Sequence, residues 1–470
     1  MQFTIYYIVS LLLMVVMMYR YRQNALALLI LLITFTGVFD YFIPRGTQYM
    51  NIVKVILATY LFSQGRIVPT LRKYRLLVIA FSVFSIYFIG VNLLYHYDGF
   101  LMVFSQYSKY YVTFLLLCLF LRIKDKQIGA MYYYNALLLE VLIIQAVMSV
   151  FRYVLFGFHF YEGMVGTFGG VNGGGTGTGA PLMALCWVAL NTNMQFSKVS
   201  HWLFLVGLLM IGVATGKRAV IMLYPLLFLF LSVFVCHQRY NMRYVLMVVF
   251  MIPALLYVGV RLTPTLNPDG KVWGQFDLEY VIKYTQEYSG GETVENTALT
   301  NQIVYKYEGR LGAVQLLWDR ITDVDHYDAI TLFGEGVKKS YTSTQNRSAY
   351  NDFGQQYGLN HKGDMTGIFL LFIAIGLVGV ALFLWYMCSM VHVVSYKRFR
   401  WTVLALILFD FIFYNGTICR DSFIGMVLAF IVVYAQLQYS SKGQFVGAIH
   451  PFFIDGWKWF THKNKCLHRH

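Results

Sequence analysis

Apolar stretches long enough to cross a lipid bilayer recur from one end of this chain to the other. A helix needs about 20 mostly apolar residues for one crossing, because every backbone N–H and C=O must be paired internally where no water is present. Charged residues make up only 13% of the chain, whereas they form about a quarter of a soluble domain. The pattern therefore predicts an all-α, polytopic membrane bundle.

On this criterion we predict about 13 membrane-spanning helices. They lie at residues 3–19, 25–43, 48–63, 76–95, 101–121, 131–156, 180–195, 201–215, 219–236, 244–260, 366–391, 401–414 and 422–439. The span at 48–63 is the weakest because Lys54 interrupts it, although a lysine near a helix end can extend its ammonium group to the membrane surface. The first stretch lacks a basic leader and a small-residue cleavage site, so we interpret it as a span rather than a signal peptide.

Basic loops orient these spans, since short loops rich in Lys and Arg stay on the cytoplasmic side. The basic residues cluster at Arg20 and Arg22; Arg66, Arg72, Lys73 and Arg75; Arg122, Lys124 and Lys126; and Lys397, Arg398 and Arg400. Each cluster falls on the same side of the predicted spans, as does the basic tail. The N-terminus is therefore expected outside and the C-terminus inside.

Charge also divides the chain into regions. We expect about ten spans in residues 1–261, a large, partly helical periplasmic loop at 262–365, about three more spans at 366–439 and a basic cytoplasmic tail at 440–470. The external loop holds 14 acidic and 9 basic residues, which leaves 28 basic and 8 acidic residues elsewhere. The overall charge of +15 therefore reflects membrane topology, and we do not read it as nucleic-acid binding.

Nothing in the sequence predicts a metal ion or another cofactor. The six cysteines are scattered, with none in the external loop, and no zinc-type spacing occurs. Cys466 has three histidines near it in the tail, which we interpret as a solvated basic segment. The external loop has aspartates at 319, 323, 325 and 328, but they lack the order of an EF-hand, so a solvated acidic face is the favoured interpretation.

Four motifs on the predicted external side could carry chemistry. The first is the glycine-rich stretch GTFGGVNGGGTGTGAP at residues 166–181. Its glycines would let the backbone approach a ligand closely, and N–H groups before a helix can hold phosphate oxygens. No P-loop lysine follows, so nucleotide binding is not indicated, and a flexible tether remains an alternative.

The second motif is TGKRAVIM at residues 215–222, where two cations stand at the outer end of a predicted span. Lys217 and Arg218 break the usual sidedness of positive charge. A bound anion would supply the partner that such an arginine needs, and extension of both side chains to the membrane surface is the alternative.

The third motif, GRLGAVQLLWDRITDVDHYDAITLFGEG, covers residues 309–336. Its apolar residues Leu311, Val314, Leu317, Trp318 and Ile321 follow helical spacing behind Arg310. We expect an amphipathic helix that lies along the membrane surface or covers a cavity.

The fourth motif places His361 about five residues before an apolar run. A histidine titrates near neutral pH and can take a proton from an attacking hydroxyl. Taken alone, an interfacial histidine without a catalytic role is the favoured interpretation of this residue.

In this order, the four motifs resemble the pattern of the bacterial O-antigen ligase and Wzy-type polysaccharide polymerase superfamily, over roughly residues 166–379. The matching residues are Gly166, Thr167, Phe168 and Asn172; Lys217 and Arg218; Arg310 with Leu332, Phe333, Gly334 and Gly336; and Asn360 and His361 with Gly376, Leu377 and Gly379. The chain departs from the family pattern at Lys217, where a serine is usual, and at Gly170 and Val171, where prolines are common.

The resemblance implies glycosyl transfer at the periplasmic face of the bacterial inner membrane, without a nucleotide or a metal. The donor would be a glycan on undecaprenyl diphosphate, and a chain-length regulator protein would be a possible partner. Arg218 and Arg310 would pair with the diphosphate, and His361 would act as the general base on the acceptor hydroxyl, with inversion at the anomeric carbon. The second-rank substrate-binding residues are Arg152, Asn172, Lys217, Asn360, Lys362 and Arg420.

Two alternatives to a polymerase remain open from the sequence. A ligase would transfer the glycan to lipid A core instead of another lipid-linked repeat unit, and the motifs do not separate the two. A transporter of a lipid-linked or anionic solute would need ionisable residues inside the membrane, for which Glu140, Asp40 and Asp410 are the candidates.

Overall fold

The structure, a computed structural model, covers most of the first third of the chain and the C-terminal membrane helices. The described residues are 2–44, 46–64, 67–126, 128–156, 166–167, 227, 230–235, 246, 250, 253–254, 256–261, 266–271, 273–289, 307–323, 327–340, 359–360, 366–413 and 421–438. Helices form nearly all of the regular structure in these ranges, which confirms the all-α prediction for them.

The helices are α1 (Gln2–Arg20), α2 (Ala25–Thr34), α3 (Thr36–Phe42), α4 (Gly46–Ser63), α5 (Val68–Lys73), α6 (Arg75–Gly90), α7 (Phe100–Lys126), α8 (Ile128–Phe156), α9 (Leu278–Ser289), α10 (Gly309–Thr322), α11 (Ala329–Phe333), α12 (Gly367–His392), α13 (Lys397–Phe413) and α14 (Ser422–Gln438). A π-helical turn, Val91–Tyr95, extends α6, and another occupies Leu231–Val235. The short strands β1 (Tyr307–Glu308) and β2 (Leu359–Asn360) form a parallel pair.

Within the described residues, three helices are long and apolar enough to cross a membrane. They are Arg75–Tyr95, Ala130–Arg152 and Gly367–His392, and the bent pair of α2 and α3 would make a fourth crossing. Two shorter apolar helices, Thr4–Arg20 and Ser422–Leu437, accompany them. By length and composition, the chain is therefore a membrane protein. The count of about 13 spans stays a prediction. The helices at the predicted spans 48–63, 101–121 and 401–414, which are α4, α7 and α13, are not among those named above, and most of residues 168–261 lies outside the described part.

The core of the bundle forms where α12 packs against α6 and where α14 and α4 pack along α7. Buried aromatic rings join the first pair of helices: Phe84 lies 5.5 Å from Phe383 and 6.1 Å from Tyr386, measured between ring centroids. Inside a membrane, lipid is as apolar as these side chains, so helices associate through close packing and interhelical hydrogen bonds rather than through exclusion of water.

Two predicted spans are broken within the bundle. The span at 25–43 is divided at Phe35 into α2 and α3, which are bent by 58°. The hydroxyls of Thr34 and Thr36 donate to the backbone carbonyls of Ile30 and Ile33, both at 2.8 Å, and such back-bonding bends helices. In α12 the break lies at Gly376, where φ is 65° and ψ is −173°.

One end of the bundle gathers basic helix ends. The Lys73 ammonium donates to Asp125 at 2.9 Å, which links the end of α5 to the end of α7. Lys124 donates to Tyr74 at 2.9 Å and also to Gln436, which itself donates to the carbonyl of Val393. These contacts place the ends of α5, α7, α12 and α14 together, whereas α11 and the end of α6 lie near the beginning of α12, towards the opposite end.

Lys54 is buried rather than extended to a surface. Its side chain lies on α4 with only 2% of the residue exposed, and its ammonium donates to the side-chain oxygen of Asn51 at 3.3 Å. The predicted helix at 48–63 is present as α4, but the expected explanation for its lysine is wrong. The predicted domain boundaries at residues 261, 365 and 439 stay predictions.

Candidate active site

The two short strands join the residues just before the third motif to the residues just before His361 in the fourth, about fifty positions later in the chain. Tyr307 pairs with Leu359 and Glu308 pairs with Asn360. Arg310 follows this pair as the second residue of α10, and His361 is the next residue after Asn360. His361 and Lys362 themselves lie outside the described residues, and the pairing sets the backbone on which they follow.

The helix predicted behind Arg310 is present as α10. Of its five apolar residues at helical spacing, Leu317 is buried and Val314 is half-buried, whereas Trp318 is 65% exposed. Ala313 and Leu316 are buried as well. The helix contacts α12 and α13, and its buried residues belong to the main core of the bundle.

The turn from Leu332 to Gly336, here called the LFGEG turn, sits in the break of α12. The N–H of Glu335 donates to the carbonyl of Ile373 at 2.6 Å, a group that an unbroken helix would satisfy internally. Tyr87 of α6 donates its hydroxyl to the carbonyl of Ile375 at 3.0 Å, and the same hydroxyl lies 3.4 Å from the carbonyl of Leu332. The break in α12 is therefore filled by backbone of the LFGEG turn.

Glycine is required on both sides of this contact. Gly334 has φ of 78° and Gly376 has φ of 65°, in the left-handed region that residues with a Cβ rarely adopt. A Cβ on Gly334 would stand 2.5 Å from the carbonyl oxygen of Ile373, and a Cβ on Gly376 would collide with the backbone of Leu332 and Phe333. Gly334 of the third motif and Gly376 of the fourth therefore lie directly against each other.

The end of α6 holds the LFGEG turn from the other side. The side-chain oxygen of Asn92 accepts the N–H of Val337 at 2.7 Å, and Asp98 accepts the N–H of Lys338 at 3.0 Å. The Nε2 atom of His96 lies 3.1 Å from the carbonyl of Phe333, which fits a donating Nε2–H. None of these three residues was predicted from the sequence. Their signal is weak, because VNLLYHYDG reads only as the polar end of a span.

The first two residues of the first motif, Gly166 and Thr167, lie against the bend between α2 and α3. Thr167 accepts the N–H of Gly37 at 3.0 Å with its carbonyl and donates its hydroxyl to the carbonyl of Thr34 at 3.0 Å. Gln145 of α8 accepts the N–H of Thr167 at 2.7 Å, and the hydroxyl of Ser149 accepts the N–H of Gly166 at 3.0 Å. The motif therefore begins at a fixed point against α2, α3 and α8.

Arg152 lies close to Gly166 and Thr167. It is one helical turn beyond Ser149 on α8, it is 3% exposed, and its guanidinium carbon is 5.0 Å from the centre of the Tyr6 ring. Tyr6 donates its hydroxyl to the carbonyl of Gly166 at 2.7 Å, so one ring contacts both the arginine and the motif. The structure thus brings one predicted substrate-binding residue next to the start of the glycine-rich stretch.

The remaining predicted site residues lie outside the described residues. They are Asn172, Lys217, Arg218 and Arg420. Next to the last of these, Asp421 accepts the N–H of Phe423 at 2.7 Å and caps the beginning of α14. Burial raises the pKa of Asp421, while this N–H and the nearby ammonium groups of Lys54 and Lys109 act in the opposite direction. Lys54, Lys109 and Asp421 are therefore electrostatic neighbours, an arrangement that was not predicted from the sequence.

The three acidic candidates for a transporter all lie within the described residues. Glu140 is ion-paired with Arg20 at 3.1 Å and accepts the hydroxyl of Tyr21 at 2.7 Å. Asp40 is exposed near the end of α3, and Asp410 is buried on α13. The described residues contain no cluster of three or more metal-ligating side chains.

Asp328 has a structural role in the external loop. Its carboxylate caps α11 by accepting the N–H of Thr331 at 2.6 Å. Hydrogen bonds from the Thr331 hydroxyl and from this N–H hold the pKa of Asp328 below its usual value. One of the four aspartates considered for calcium is therefore occupied as a helix cap, and Asp325 lies outside the described residues.

The chain matches no protein-family model and no curated protein. The resemblance to the ligase and polymerase superfamily therefore rests on the motif residues and on their arrangement.

Proposed function

We propose that this chain is a membrane glycosyltransferase that polymerises polysaccharide. It transfers a glycan from undecaprenyl diphosphate to a sugar hydroxyl of another lipid-linked repeat unit, at the periplasmic face of the bacterial inner membrane. The observation that carries the proposal is the pairing of β1 with β2, because it joins the chain just before Arg310 to the chain just before His361.

The pairing limits how far apart these two residues can be. Paired strands lie about 4.8 Å apart and successive Cα atoms about 3.8 Å apart, so the Cα atoms of residues 310 and 361 are separated by no more than roughly 16 Å. An arginine and a histidine at that separation can reach the same substrate from two sides. Because the two strands are parallel, Arg310 and His361 follow them at the same end of the pair.

The roles follow from the chemistry of the bond that breaks. The diphosphate is already a good leaving group, so the protein needs cations to stabilise the charge that develops on it and a base for the attacking hydroxyl. Arg310 and Arg218 supply guanidinium groups that fit phosphate oxygens in pairs, and His361 supplies the base. Arg152, Asn172, Lys217, Asn360, Lys362 and Arg420 form the surrounding substrate-binding set.

The proposed orientation has 13 spans, an external N-terminus and a cytoplasmic tail. It is supported by the gathering of Lys73, Lys124 and the ends of four helices at one end of the bundle, since basic residues stay on the cytoplasmic side. The LFGEG turn lies towards the opposite end, as an external catalytic loop requires. The ion pair of Glu140 with Arg20 weakens the transporter alternative, because this carboxylate is already engaged.

The test uses purified protein in lipid nanodiscs with lipid-linked repeat units extracted from the host strain. We expect longer glycans from the wild type, and rates at least about 100-fold lower for His361→Ala and Arg310→Ala. Arg320→Ala, in the last turn of the same helix α10, and His392→Ala, at the far end of α12, are the matched controls and should retain activity.

Three results would contradict the proposal or redirect it. Full extension by both His361→Ala and Arg310→Ala would show that the site assignment is wrong. Product that forms only when lipid A core is added would identify a ligase. Movement of lipid-linked glycan across vesicle membranes without a new glycosidic bond would identify a transporter.

A further inference from the structure

We propose that the outer end of α6 is a positioning element for the active site, in which Asn92, His96 and Asp98 hold the LFGEG turn in the break of α12. This inference rests on the proposed function, because it concerns how Arg310 and His361 are kept in register. None of the three side chains needs to touch the substrate.

Asn92 is the centre of this element. It is fully buried in the π-helical turn, its side-chain N–H donates to the carbonyl of Phe88 at 2.8 Å, and its side-chain oxygen accepts the N–H of Val337 at 2.7 Å. Its own carbonyl accepts the N–H of Asp98 at 2.9 Å. One side chain therefore joins the end of α6 to the segment that leaves the LFGEG turn. π-Helical turns inside α-helices occur often at functional sites.

Asp98 and His96 complete the attachment on either side of the turn. Asp98, which is 7% exposed, accepts the N–H of Lys338, and His96 lies within hydrogen-bonding distance of the carbonyl of Phe333. The hydroxyl of Ser340 then donates to the carbonyl of Leu370 at 3.1 Å in the first half of α12. The turn is thus held by side chains from α6 and by the backbone of α12, and it cannot slide along either helix without breaking several buried hydrogen bonds.

The turn controls the register of the two catalytic positions through short connections. Only six residues separate α10, which begins next to Arg310, from α11, and the hydroxyl of Tyr327 braces this connection by donating to the carbonyl of Ile321 at 2.6 Å. Six residues, 361–366, separate β2 from α12. Fixing the turn against α12 therefore limits how far β1 and α10 can move relative to β2.

The first readout needs no substrate. In a variant with the six native cysteines replaced by alanine, Tyr307→Cys and Leu359→Cys are introduced at directly paired positions. Paired strands bring Cα atoms to a distance that a disulfide bridges. Mild oxidation in membranes, alkylation of free thiols with iodoacetamide and mass spectrometry then give the cross-linked fraction.

The test variants are Asp98→Ala and Asn92→Ala, each with a conservative partner. Asp98→Asn and Asn92→Asp both retain an oxygen that can accept the same backbone N–H. Asp125→Ala is the matched control, because this carboxylate also joins two helices but lies at the basic end of the bundle. We expect cross-linking to fall at least threefold in the two alanine variants and to recover in Asp98→Asn.

The second readout is glycan extension with the same extracted lipid-linked repeat units. A positioning role predicts that kcat falls at least tenfold in Asp98→Ala while KM changes less than twofold, and that Asp98→Asn restores kcat. A general loss of folding would instead lower the yield of monodisperse protein in size-exclusion chromatography for all variants alike.

The outcomes separate this inference from the proposed function. If His361→Ala and Arg310→Ala abolish extension but Asp98→Ala keeps both cross-linking and kcat, the positioning inference is wrong and the proposed function stands. If the wild type extends the glycan but extension is indifferent to His361→Ala and Arg310→Ala, the assignment of the site is wrong, and the positioning role fails with it whatever the cross-linking shows. If the wild type does not extend the glycan at all, the proposed function itself fails.

Discussion

Two short segments of the chain, the LFGEG turn and the Gly166–Thr167 pair, enter broken helices, and they do so by different means. The LFGEG turn enters the break of α12 backbone to backbone, with glycines on both sides of the contact. The Gly166–Thr167 pair enters the bend between α2 and α3 under polar side chains from α1 and α8. A backbone contact depends on the absence of side chains, whereas a side-chain contact depends on the presence of particular ones.

The difference has a physical consequence for how each contact tolerates change. A backbone carbonyl cannot move away from an added Cβ without distorting its own helix, whereas the end of a glutamine side chain can rotate. We therefore expect an added side chain to destabilise the LFGEG contact strongly and the Gly166–Thr167 contact less. The predictions below test this contrast.

The largest effect is expected for Gly376→Ala. The new Cβ would meet the backbone of Leu332 and Phe333 at a position with φ of 65°, and strain together with overpacking costs several kcal/mol, on the order of 3 or more. The measurement is the Tm of the detergent-solubilised protein together with the Tyr307–Leu359 cross-link described above.

Gly90→Ala is the control for that prediction. Gly90 is the last residue of α6, and a Cβ there would meet no atom within 4 Å. Its Tm should stay the same or rise slightly, because alanine is the better helix former. Equal losses of Tm in Gly376→Ala and Gly90→Ala would contradict the idea that close backbone approach makes the α12 break intolerant.

A smaller effect is expected for Gly166→Ala, although Gly166 also has a positive φ of 51°. The nearest atoms to the added Cβ belong to the end of the Gln145 side chain, which can move. We expect a loss of about 1–3 kcal/mol, mainly from the backbone conformation. A drop in Tm as large as that of Gly376→Ala would remove the distinction between the two contacts.

Gln145→Ala tests the side-chain contact from the other partner. The substitution leaves the buried N–H of Thr167 without its acceptor, which costs about 1–3 kcal/mol for an unsatisfied group. Gln145→Glu keeps an acceptor oxygen and should lose less. Hydrogen exchange of the Thr167 amide measures both, and faster exchange in Gln145→Ala than in Gln145→Glu is the expected order.

The smallest effect concerns the cap of α11, which leads into the LFGEG turn. Asp328→Ala should cost about 1 kcal/mol, and Asp328→Asn should cost less because asparagine also caps helices. Since the folded pKa is lowered, the cap is present at neutral pH and lost as the pH falls through that lower value, below the ordinary aspartate value of about 3.9. Amide exchange at Thr331 across pH 2–5 checks this, and no acceleration at the acid end would contradict it.

Much of the fold could be predicted because apolar length and basic ends are properties of the chain itself. The helices at 3–19, 76–95, 131–156 and 366–391 correspond to α1, α6, α8 and α12, and the amphipathic segment behind Arg310 is α10. The residues of α10 that are buried could not be predicted, because the burial of Ala313 and the exposure of Trp318 depend on the neighbouring helices, among them α12 and α13.

For the candidate site, glycine and arginine motifs were visible in sequence order but their partners were not. Asn92, His96 and Asp98 are distant in sequence from the turn they hold, and a single polar residue at the end of an apolar run carries no signal of what it contacts. The burial of Lys54 was likewise not predicted, because it depends on the packing of α4 against α2, α3 and α7.

By itself, the sequence determined that this chain is a helical membrane protein whose basic ends lie on one side, because these properties depend on how individual segments partition between lipid and water. Only the tertiary structure decided that Glu308 pairs with Asn360 and that two broken helices contact backbone from distant segments. Those arrangements depend on hydrogen bonds between segments up to hundreds of residues apart, which local composition does not encode.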